Sequence, residues 1–473
     1  MKLGIAGGEK STAELREYAA TSFLGHGVNK ESLDIAIRRY DPDVIVAQGT
    51  STDPGPYFLG SGKLVMAREV LKRDLALIIK ASKEKKIPFI VSAGGAGADI
   101  HLNEVIKIVD EISREENIKL KIAVISGEIN KRWLISKILS GFKAERIVDH
   151  PRLSKYLTID DVNRSVRIVA QMGPEPIIKA LEEEIDGVIT GRALDVALFT
   201  ALPLKKGFDK ALSFHMAKIL ECGGLACEPG SGIDGIFGIL RKDHFEVFCP
   251  NPKRRATKRS IIAHTLYERP NPFIEEYPGG VLDISNALYE EVDNKVIVSG
   301  AKWIPAKYTI KLEGVEFVGY RSICIAGVRD PYLIKSIDYV ISEISREVNE
   351  YFSYLSNKFF KYIFRVYGKN AILGNREYEK SEPHEICILI DVVAETQELA
   401  DSIASFISSA LSHTHYPGRK STAGNIAYPF SPGRYISVGE VYRFNIWHKL
   451  ELDDPLEPFK IRVIEFPQRA IIP

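Results

Sequence analysis

Short apolar runs alternate with amphipathic stretches over the first two hundred residues. The clearest runs are rich in β-branched residues and end in small ones; they lie at 3–8, 43–49, 88–95, 121–128 and 186–192. Between them, the stretches 63–86 and 101–118 carry apolar residues at three- and four-residue spacing, which predicts helices. Apolar strands that alternate with helices are typical of a parallel sheet covered on both faces. The pattern predicts a parallel-sheet α/β domain at residues 1–300.

The pattern changes within this region at 225–310. Segments such as "CEPGSGIDG", "CPNPKRR" and "YPGG" are rich in turn-forming residues, and long helical periodicities are few. We expect an irregular lid or connector here.

From about residue 315 the chain follows another rhythm. The predicted elements are a strand at 320–328, a helix at 331–356, strands at 361–368 and 385–394, a helix at 396–413, and a strand or strand pair at 435–452. The order β–α–β–β–α–β is that of the ferredoxin-like arrangement. The sequence therefore predicts a C-terminal ferredoxin-like α+β domain at 315–473.

Composition narrows the class of protein. With 45% hydrophobic and 26% charged residues, the chain has the composition of a soluble globular protein. Its net charge of +1 gives no electrostatic reason to expect nucleic acid or an anionic membrane as a partner. The start "MKLGIAGGEKS" has no long apolar core of a signal peptide, and no stretch of membrane-spanning length is free of charge. We expect a cytoplasmic protein that has neither nucleic acid nor a membrane as a partner.

Two further compositional features bear on the environment. The five cysteines form no CxxC pair and are odd in number, which favours reduced thiols in the cytoplasm over a disulfide scaffold. Only four glutamines occur beside abundant Lys, Glu and Ile, a bias found in hyperthermophiles. We therefore expect a thermophilic source.

Glycines and polar side chains follow the predicted strands. In parallel sheets, ligands bind beyond the carboxyl ends of the strands. Any one such loop also fits a tight turn between strand and helix. Several loops at one sheet edge predict a pocket rim, formed by Gly49 to Asp53, Gly94 to Asp99, Ser126 to Glu128, and Thr190 to Asp195.

Long blocks of sequence are ordered from about residue 43 to the C-terminus, among them "GTSTDPGPYFLGSG", "SAGGAGADIHL", "AKILECGGLACEPGSG" and "HYPGRKSTAGNIAYPFSP". Together they resemble the acyclic terpene utilisation (AtuA-like) family. The resemblance implies an α/β region followed by a ferredoxin-fold domain. It also implies metabolism of branched acyl-CoA intermediates or small carboxylates, and it carries no assigned catalytic residue.

The first candidate residues lie at the ends of the second and third predicted strands. Asp53 is a candidate general base, and the hydroxyls of Thr50, Ser51 and Thr52 are candidate anion ligands; a turn capped by Asp53 is the alternative. Unhindered backbone N–H groups before a helix form an anion site, here at Gly94, Gly95 and Gly97. Asp99 is a candidate proton carrier or helix cap, and His101 a titrating or structural side chain.

Arg192 and Asp195 follow the last predicted strand. A guanidinium can grip a substrate carboxylate with two hydrogen bonds. The alternative is an ion pair of Arg192 with Asp195 or with the acidic run at 182–184. Further along, Lys311 and Glu313 alternate on a strand face and equally fit a solvated edge.

The block "HTLYERPNPFIEEYPGG" supplies several titratable side chains. His264, Tyr267 and Glu268 are candidates for an acid–base pair, and Glu275 follows in the same loop. Cys222 is either a reactive thiol near His215 or a packed helix end.

Metal ligands are also present in the pattern. Asp53 and Glu128, with Asp99 and Asp195 on the same predicted rim, are candidate ligands for Mg²⁺ or another divalent cation. The spacing of His413 and His415 allows zinc, but the following Pro417 favours a turn.

The function predicted from these features is a lyase or hydratase. It would act on a small branched carboxylate or an acyl-CoA, with CoA as part of the substrate, by moving a proton next to a carbonyl. Hydrolase or transferase chemistry on the same acyl substrates is one alternative, and a non-catalytic assembly subunit is another. We expect a homo-oligomer.

Overall fold

The computed structural model describes residues 14–149, 151, 153–355, 357–379, 381–429, 431 and 434–468. The strand predicted at 3–8 lies outside the described residues. The chain divides into a first unit, Met1–Val315 with Phe444–Pro473, and a second unit, Glu316–Arg443. The predicted domain at 315–473 thus differs from the second unit, because residues 444–473 return to the first.

The strands, in chain order, are β1 Leu15–Ala19, β2 Val44–Ala47, β3 Phe89–Ser92, β4 Leu120–Ile125, β5 Ala144–Arg146, β6 Ser165–Ala170, β7 Gly187–Thr190, β8 Ile236–Leu240, β9 Phe245–Phe248, β10 Ile274–Tyr277, β11 Gly280–Asp283, β12 Leu288–Val292, β13 Lys295–Ser299, β14 Lys302–Pro305, β15 Thr309–Val328, β16 Phe360–Tyr367, β17 Ile386–Ala394, β18 Ile436–Glu451 and β19 Ile461–Phe466.

The α-helices are α1 Lys30–Ile35, α2 Pro56–Ser61, α3 Arg68–Lys85, α4 Asp99–Glu115, α5 Lys131–Leu139, α6 Ile159–Arg164, α7 Glu175–Ala180, α8 Asp195–Lys205, α9 Lys210–Leu220, α10 Lys258–Leu266, α11 Pro331–Tyr351 and α12 Gln397–His413. A π-helical turn, Ala36–Tyr40, continues α1, and 3₁₀ turns lie at Gly223–Ala226, Ser353–Leu355 and Gly374–Arg376.

The first unit contains a large mixed sheet. Within the described residues its strand order is β12-β13-β9-β8-β1-β2-β3-β7-β4-β19. The neighbours from β1 to β4 along this order are parallel, and the outer strands pair antiparallel. Four of the five predicted runs are therefore adjacent parallel strands. The residues of β2, β3 and β7 are all buried, as expected for strands covered on both faces.

The segment 225–310, expected to be irregular, consists instead of the short strands β8–β14 and the helix α10. Strands β10, β11 and β14 form a separate antiparallel sheet. These strands have only four or five residues each and are separated by turns, so their alternation is too short to stand out in the sequence.

The second unit contains the end of β15, then α11, β16, β17, α12 and the start of β18. Its sheet order is β16-β17-β15-β18, and β17 is antiparallel to both β15 and β16. Ile337 and Ile344 of α11 share a buried core with Ile403 of α12 and Ile390 of β17. The predicted order of strands and helices is therefore found, with β15 starting eleven residues before the predicted strand at 320–328.

The cysteines depart from the expectation of reduced thiols. Cys227 and Cys249 are joined by a disulfide across 22 positions, whereas Cys222, Cys324 and Cys387 are free. A pair so distant in sequence leaves no spacing signal, and only β8 and β9 between them bring the two together. Across the described residues, no helix combines the length and apolarity needed to span a bilayer.

Candidate functional site

The loops after the parallel strands cross one another at three glycines. The backbone N–H of Arg192 donates to the carbonyl of Gly97 at 2.9 Å. A Cβ on Gly97 or on Gly127 would lie 2.3 Å from the nitrogen of Arg192, and one on Gly191 would lie 2.5 Å from the carbonyl oxygen of Gly97. The crossing therefore requires glycine at these positions.

Arg192 forms a buried ion pair within these loops. Its Nε lies 2.9 Å and its Nη2 3.3 Å from the two carboxylate oxygens of Glu313 on β15. Its Nη1 donates to the carbonyl of Thr50 at 2.7 Å and lies 3.4 Å from Asp195. Burial acts to lower the pKa of Arg192, but Glu313 and Asp195 raise it. We call Thr50, Arg192, Asp195 and Glu313 the strand-end cluster.

This pairing changes the interpretation of Arg192. The alternative of an ion pair with Asp195 is found, and Glu313, which fitted a solvated edge, is buried and forms the closer contact. Gln171 also donates to Glu313 at 2.7 Å. The guanidinium is thus committed to the chain's own carboxylates, which does not favour a direct grip on a substrate.

The loop from Ser51 to Asp53 forms a turn beside the strand-end cluster. The hydroxyl of Ser51 accepts a hydrogen bond from the N–H of Asp53 at 3.1 Å, and the Asp53 side chain is exposed. Its charge contributes to the raised pKa of both Arg192 and Asp195. Thr52 is buried, and its hydroxyl has no hydrogen-bond partner among the described residues.

The N-terminus of α4, predicted to bind an anion, is capped from within the chain. The carboxylate of Glu128 accepts the N–H of Asp99 at 2.8 Å, and Nδ1 of His101 accepts the N–H of Ala98 at 3.1 Å. Nε2 of His101 lies 3.0 Å from the carbonyl of Phe58. Because Nδ1 accepts a hydrogen bond, the imidazole is neutral and its Nε2–H donates to this carbonyl. Burial lowers the pKa of His101 and raises that of Glu128. These contacts favour structural roles.

Gly94 and Gly95 also serve packing. Both have positive φ, at 98° and 81°. A Cβ on Gly94 would lie 2.9 Å from Cβ of His101, and one on Gly95 would lie 2.4 Å from Val65. The two glycines therefore permit a close approach of neighbouring segments.

The candidate metal ligands do not form a group in the described residues. In the described ranges, no three or more His, Cys, Asp or Glu side chains are grouped so that they could hold a metal ion. Asp99 and Glu128 contact each other at the helix end, whereas Asp53 lies with Arg192. A divalent cation held by Asp53 and Glu128 stays a prediction.

A second cluster lies at the end of α9. The ammonium of Lys218 lies 2.7 Å from Glu221, 3.6 Å from Glu268 and 4.8 Å from the ring centroid of Tyr267. The Tyr267 hydroxyl lies 3.0 Å from the sulfur of Cys222. Lys218 and Glu221 are buried, whereas Tyr267 and Glu268 reach the surface. We call Lys218, Glu221, Tyr267 and Glu268 the α9 cluster.

Further charged groups are buried beside the α9 cluster. The side chain of Arg269 is 1% exposed, with its Nε 2.8 Å from Glu275, and Tyr277 donates to Glu275 at 2.6 Å. The Nη atoms of Arg269 have no hydrogen-bond partner in the part of the chain described. His264 lies at the margin of the α9 cluster, and its Nδ1 is 3.1 Å from the carbonyl of Ser260.

Burial perturbs the acids of this region strongly. It raises the pKa of Glu221 to about 8. Lys218 acts to lower this pKa, whereas Asp195 and Glu275 raise it further. Burial acts to lower the pKa of Lys218, but Glu221 raises it, so the ammonium keeps its charge. Burial also raises the pKa of the Cys222 thiol to about 12. Because burial raises its pKa to about 8, Glu221 retains a proton over much of the neutral pH range.

Asp195 links the two clusters electrostatically. Arg192 and Lys218 both act to lower its pKa, while burial, the largest effect, raises it. Its side chain is nevertheless 36% exposed. Solvent therefore reaches the carboxyl of Asp195.

Lys218 and Glu221 are absent from the residues singled out by sequence, and Glu313 is named there only as a residue that equally fits a solvated strand edge. The first two lie three positions apart in the otherwise apolar segment "ALSFHMAKILEC", and a charged pair in a buried helix is the signal that could have found them. His215 is buried in the same helix, and burial lowers its pKa to about 3. The thiol interpretation of Cys222 is disfavoured, because a protonated thiol is a weak nucleophile.

The fold and the site define a mixed α/β protein with a group of acidic side chains beside a buried ion pair. Comparison with known families identifies it further. Residues 66–231 and 249–438 match the family described as "Acyclic terpene utilisation family protein AtuA", and the chain belongs to this family. The resemblance found in the sequence is thereby confirmed, and membership suggests involvement in acyclic terpene utilisation. No curated protein and no solved structure matches the chain.

Proposed function

We propose that the protein is a lyase or hydratase that moves a proton next to the carbonyl of a small branched carboxylate or acyl-CoA. The observation that carries the proposal is the carboxyl of Glu221, whose pKa burial raises to about 8, at 2.7 Å from Lys218. A base with a pKa near the working pH is both available and strong enough to remove a carbon-bound proton.

Lys218 supplies the complementary charge. Removal of a proton next to a carbonyl leaves an enolate, which a fixed cation stabilises as its charge develops. Lys218 is held by Glu221 and Glu268 and packs over Tyr267, so its ammonium has a defined position. Tyr267 and Glu268, both predicted from sequence, are the exposed members of the α9 cluster.

Asp195 is the second acid of the proposal. Its raised pKa and partial exposure fit a group that returns the proton or protonates a leaving hydroxyl. Arg192 holds Asp195 at 3.4 Å and acts as a positioning residue. Asp53 and His264, also predicted, lie at the margins of the two clusters.

For the second unit we infer a ferredoxin-like domain. The observed strand order β16-β17-β15-β18 and the order of its elements support this classification. A homo-oligomer, a cytoplasmic location and a thermophilic source stay predictions.

The proposed chemistry is tested by hydrogen–deuterium exchange at carbon. The full chain is incubated in D₂O with isovaleryl-CoA, 3-methylcrotonyl-CoA or a small branched dicarboxylate, and deuterium incorporation is followed by mass spectrometry. Glu221→Gln should slow exchange at least about 100-fold, which is the usual contribution of a general base. Glu276→Gln is the matched control, because it removes the same charge from a side chain that is 69% exposed and lies outside both clusters.

Two results would contradict the proposal. One is exchange by the parent chain that Glu221→Gln leaves unchanged. The other is no exchange with any acyl-CoA or carboxylate, together with stable co-purification of a partner enzyme. That second result would favour the assembly subunit.

A further inference from the structure

A cleft on the first unit has a chemistry that the candidate site does not use. Its volume is about 950 Å³, and its lining includes Arg38, Arg39, Arg255, Ile35, Tyr40 and Ile239. We propose that this cleft binds an organic phosphate. The guanidinium groups would hold the phosphate oxygens, and the apolar wall would contact the organic part. The inference does not rest on the proposed proton transfer.

The charge of the lining supports an anionic ligand. Three other cations of the cleft are each paired with a carboxylate: Lys253 with Glu31, Arg254 with Asp234, and Lys295 with Glu246. Three of its four carboxylates are also paired: Asp34 with Lys30, Glu228 with Arg259, and Glu246 with Arg241.

Among the described residues, the charged side chains of the cleft that have no partner of opposite charge are mostly cations. Within the ranges that the structure describes, Arg38, Arg39 and Arg255 have no carboxylate partner, and Asp293 is the one lining carboxylate without a cation partner. Three guanidinium groups against one carboxylate leave the cleft attractive to a multiply charged anion.

Two separate segments supply these arginines. Arg38 and Arg39 lie in the π-helical turn Ala36–Tyr40, and such turns are rare and frequent at functional sites. Cations at a helix C-terminus are also stabilised by the helix dipole, which alone would account for this pair. Arg255 precedes α10 on another segment, so the dipole of α1 does not explain it. Arginines from two segments thus line one cleft, which a shared ligand would explain.

The apolar wall favours an organic phosphate over an inorganic anion. The ring of Tyr40 is fixed against Phe248 at 4.7 Å and Phe237 at 5.6 Å between centroids, and the Arg39 guanidinium lies 5.6 Å from it. A rigid aromatic surface beside guanidinium groups offers dispersion contact to a planar base while the phosphates are bound. A nucleotide has both parts, and so has any phosphorylated aromatic or aliphatic metabolite.

The test is isothermal titration of the full chain with ADP, adenosine and inorganic pyrophosphate. ADP should bind at one saturable site, pyrophosphate more weakly, and adenosine not at all in the same range. The double substitution Arg38→Gln, Arg255→Gln should weaken ADP at least tenfold. Arg132→Gln, an exposed arginine on α5 outside the cleft, should leave it unchanged.

Several outcomes would overturn the inference: no ADP binding, ADP affinity unchanged in the double variant, or pyrophosphate binding as tightly as ADP. Because Arg38 and Arg255 are exposed, thermal unfolding of the variants should match the parent. The single variants provide a second measurement, and each should weaken ADP several-fold.

Discussion

The strand-end cluster and the α9 cluster lie in the same unit and each hold one cation and two carboxyls, but they differ in how the cation is paired. Arg192 matches its guanidinium to both oxygens of Glu313 and to a backbone carbonyl, so that cluster is internally paired. We call Arg192 with Glu313 the matched set, because both carboxylate oxygens are hydrogen-bonded, and this set fixes structure.

Lys218 contacts one oxygen of Glu221 and lies 3.6 Å from the exposed Glu268, whereas the nearby Glu275 is paired with Arg269. We call Lys218 with Glu221 the unmatched set, because the ammonium contacts one oxygen while burial raises the pKa of Glu221 to about 8, which leaves a proton that can move.

The largest effect should come from breaking the matched set. Glu313→Gln leaves the buried charge of Arg192 without its closest carboxylate, which costs about 3–5 kcal/mol in the free energy of unfolding. All three tryptophans, Trp133, Trp303 and Trp447, lie in the first unit, so their fluorescence during urea unfolding reports that unit.

The control for this prediction is Glu276→Gln. Glu276 pairs with Lys449 at the surface, with side chains 69% and 41% exposed, so its loss should cost less than about 1 kcal/mol. Equal losses for both variants would mean that the strand-end cluster is not the stabilising element we infer.

A smaller loss is expected from the loop crossing. Gly97→Ala places a Cβ 2.3 Å from the backbone nitrogen of Arg192 at a φ of 72°, and backbone strain with overpacking should cost about 2–4 kcal/mol. Gly207→Ala is the matched control, with a φ of 78° and no atom within 4 Å of the added Cβ. It should lose only about 1 kcal/mol in the same urea titration. Identical losses would show that the crossing tolerates a side chain.

Much of the fold was predictable because its signals are local. The apolar runs at β2, β3, β4 and β7 and the helical periodicity of α3, α4, α11 and α12 lie within single segments of sequence. The predictions of the fold failed where the signal is too short to recognise or is not local. Strands β8–β14 are too short to show alternation, and β19 joins the large sheet beside β4 from the far end of the chain.

The candidate site was predictable only in part, for the same reason. Arg192, Asp195, Tyr267 and Glu268 stand out beside glycines and prolines, which mark loops. Glu313 and Glu221 also have glycines nearby, but Glu313 lies within the strand β15 and Glu221 directly follows the apolar helix α9, so neither was selected as a loop residue. Their burial, and hence the pairing of Glu313 and the raised pKa of Glu221, follows from tertiary packing alone.

The unmatched set should make stability depend on pH. The pKa of Glu221 rises from 4.5 to about 8 in the folded chain, so between these values the folded state binds more protons than the unfolded state. By linkage, the free energy of unfolding then falls as the pH rises. Between pH 5 and 8 the parent should lose at least about 1 kcal/mol more than Glu221→Gln. Parallel pH profiles for the two proteins would remove the basis for Glu221 as a base.

The smallest effect is expected at Cys222. Burial raises its pKa to about 12, so the thiol stays protonated beside Tyr267 and contributes a hydrogen bond, not a nucleophile. Cys222→Ser should lower the deuterium exchange rate less than about tenfold, a change of about 1.4 kcal/mol in the barrier. Iodoacetamide at pH 8 should modify the half-buried Cys387 and spare Cys222, as peptide mapping would show. If Cys222→Ser instead abolished exchange as fully as Glu221→Gln, the thiol would take part in the reaction. A mobile proton on Glu221 would then no longer be the feature that distinguishes the α9 cluster from the strand-end cluster.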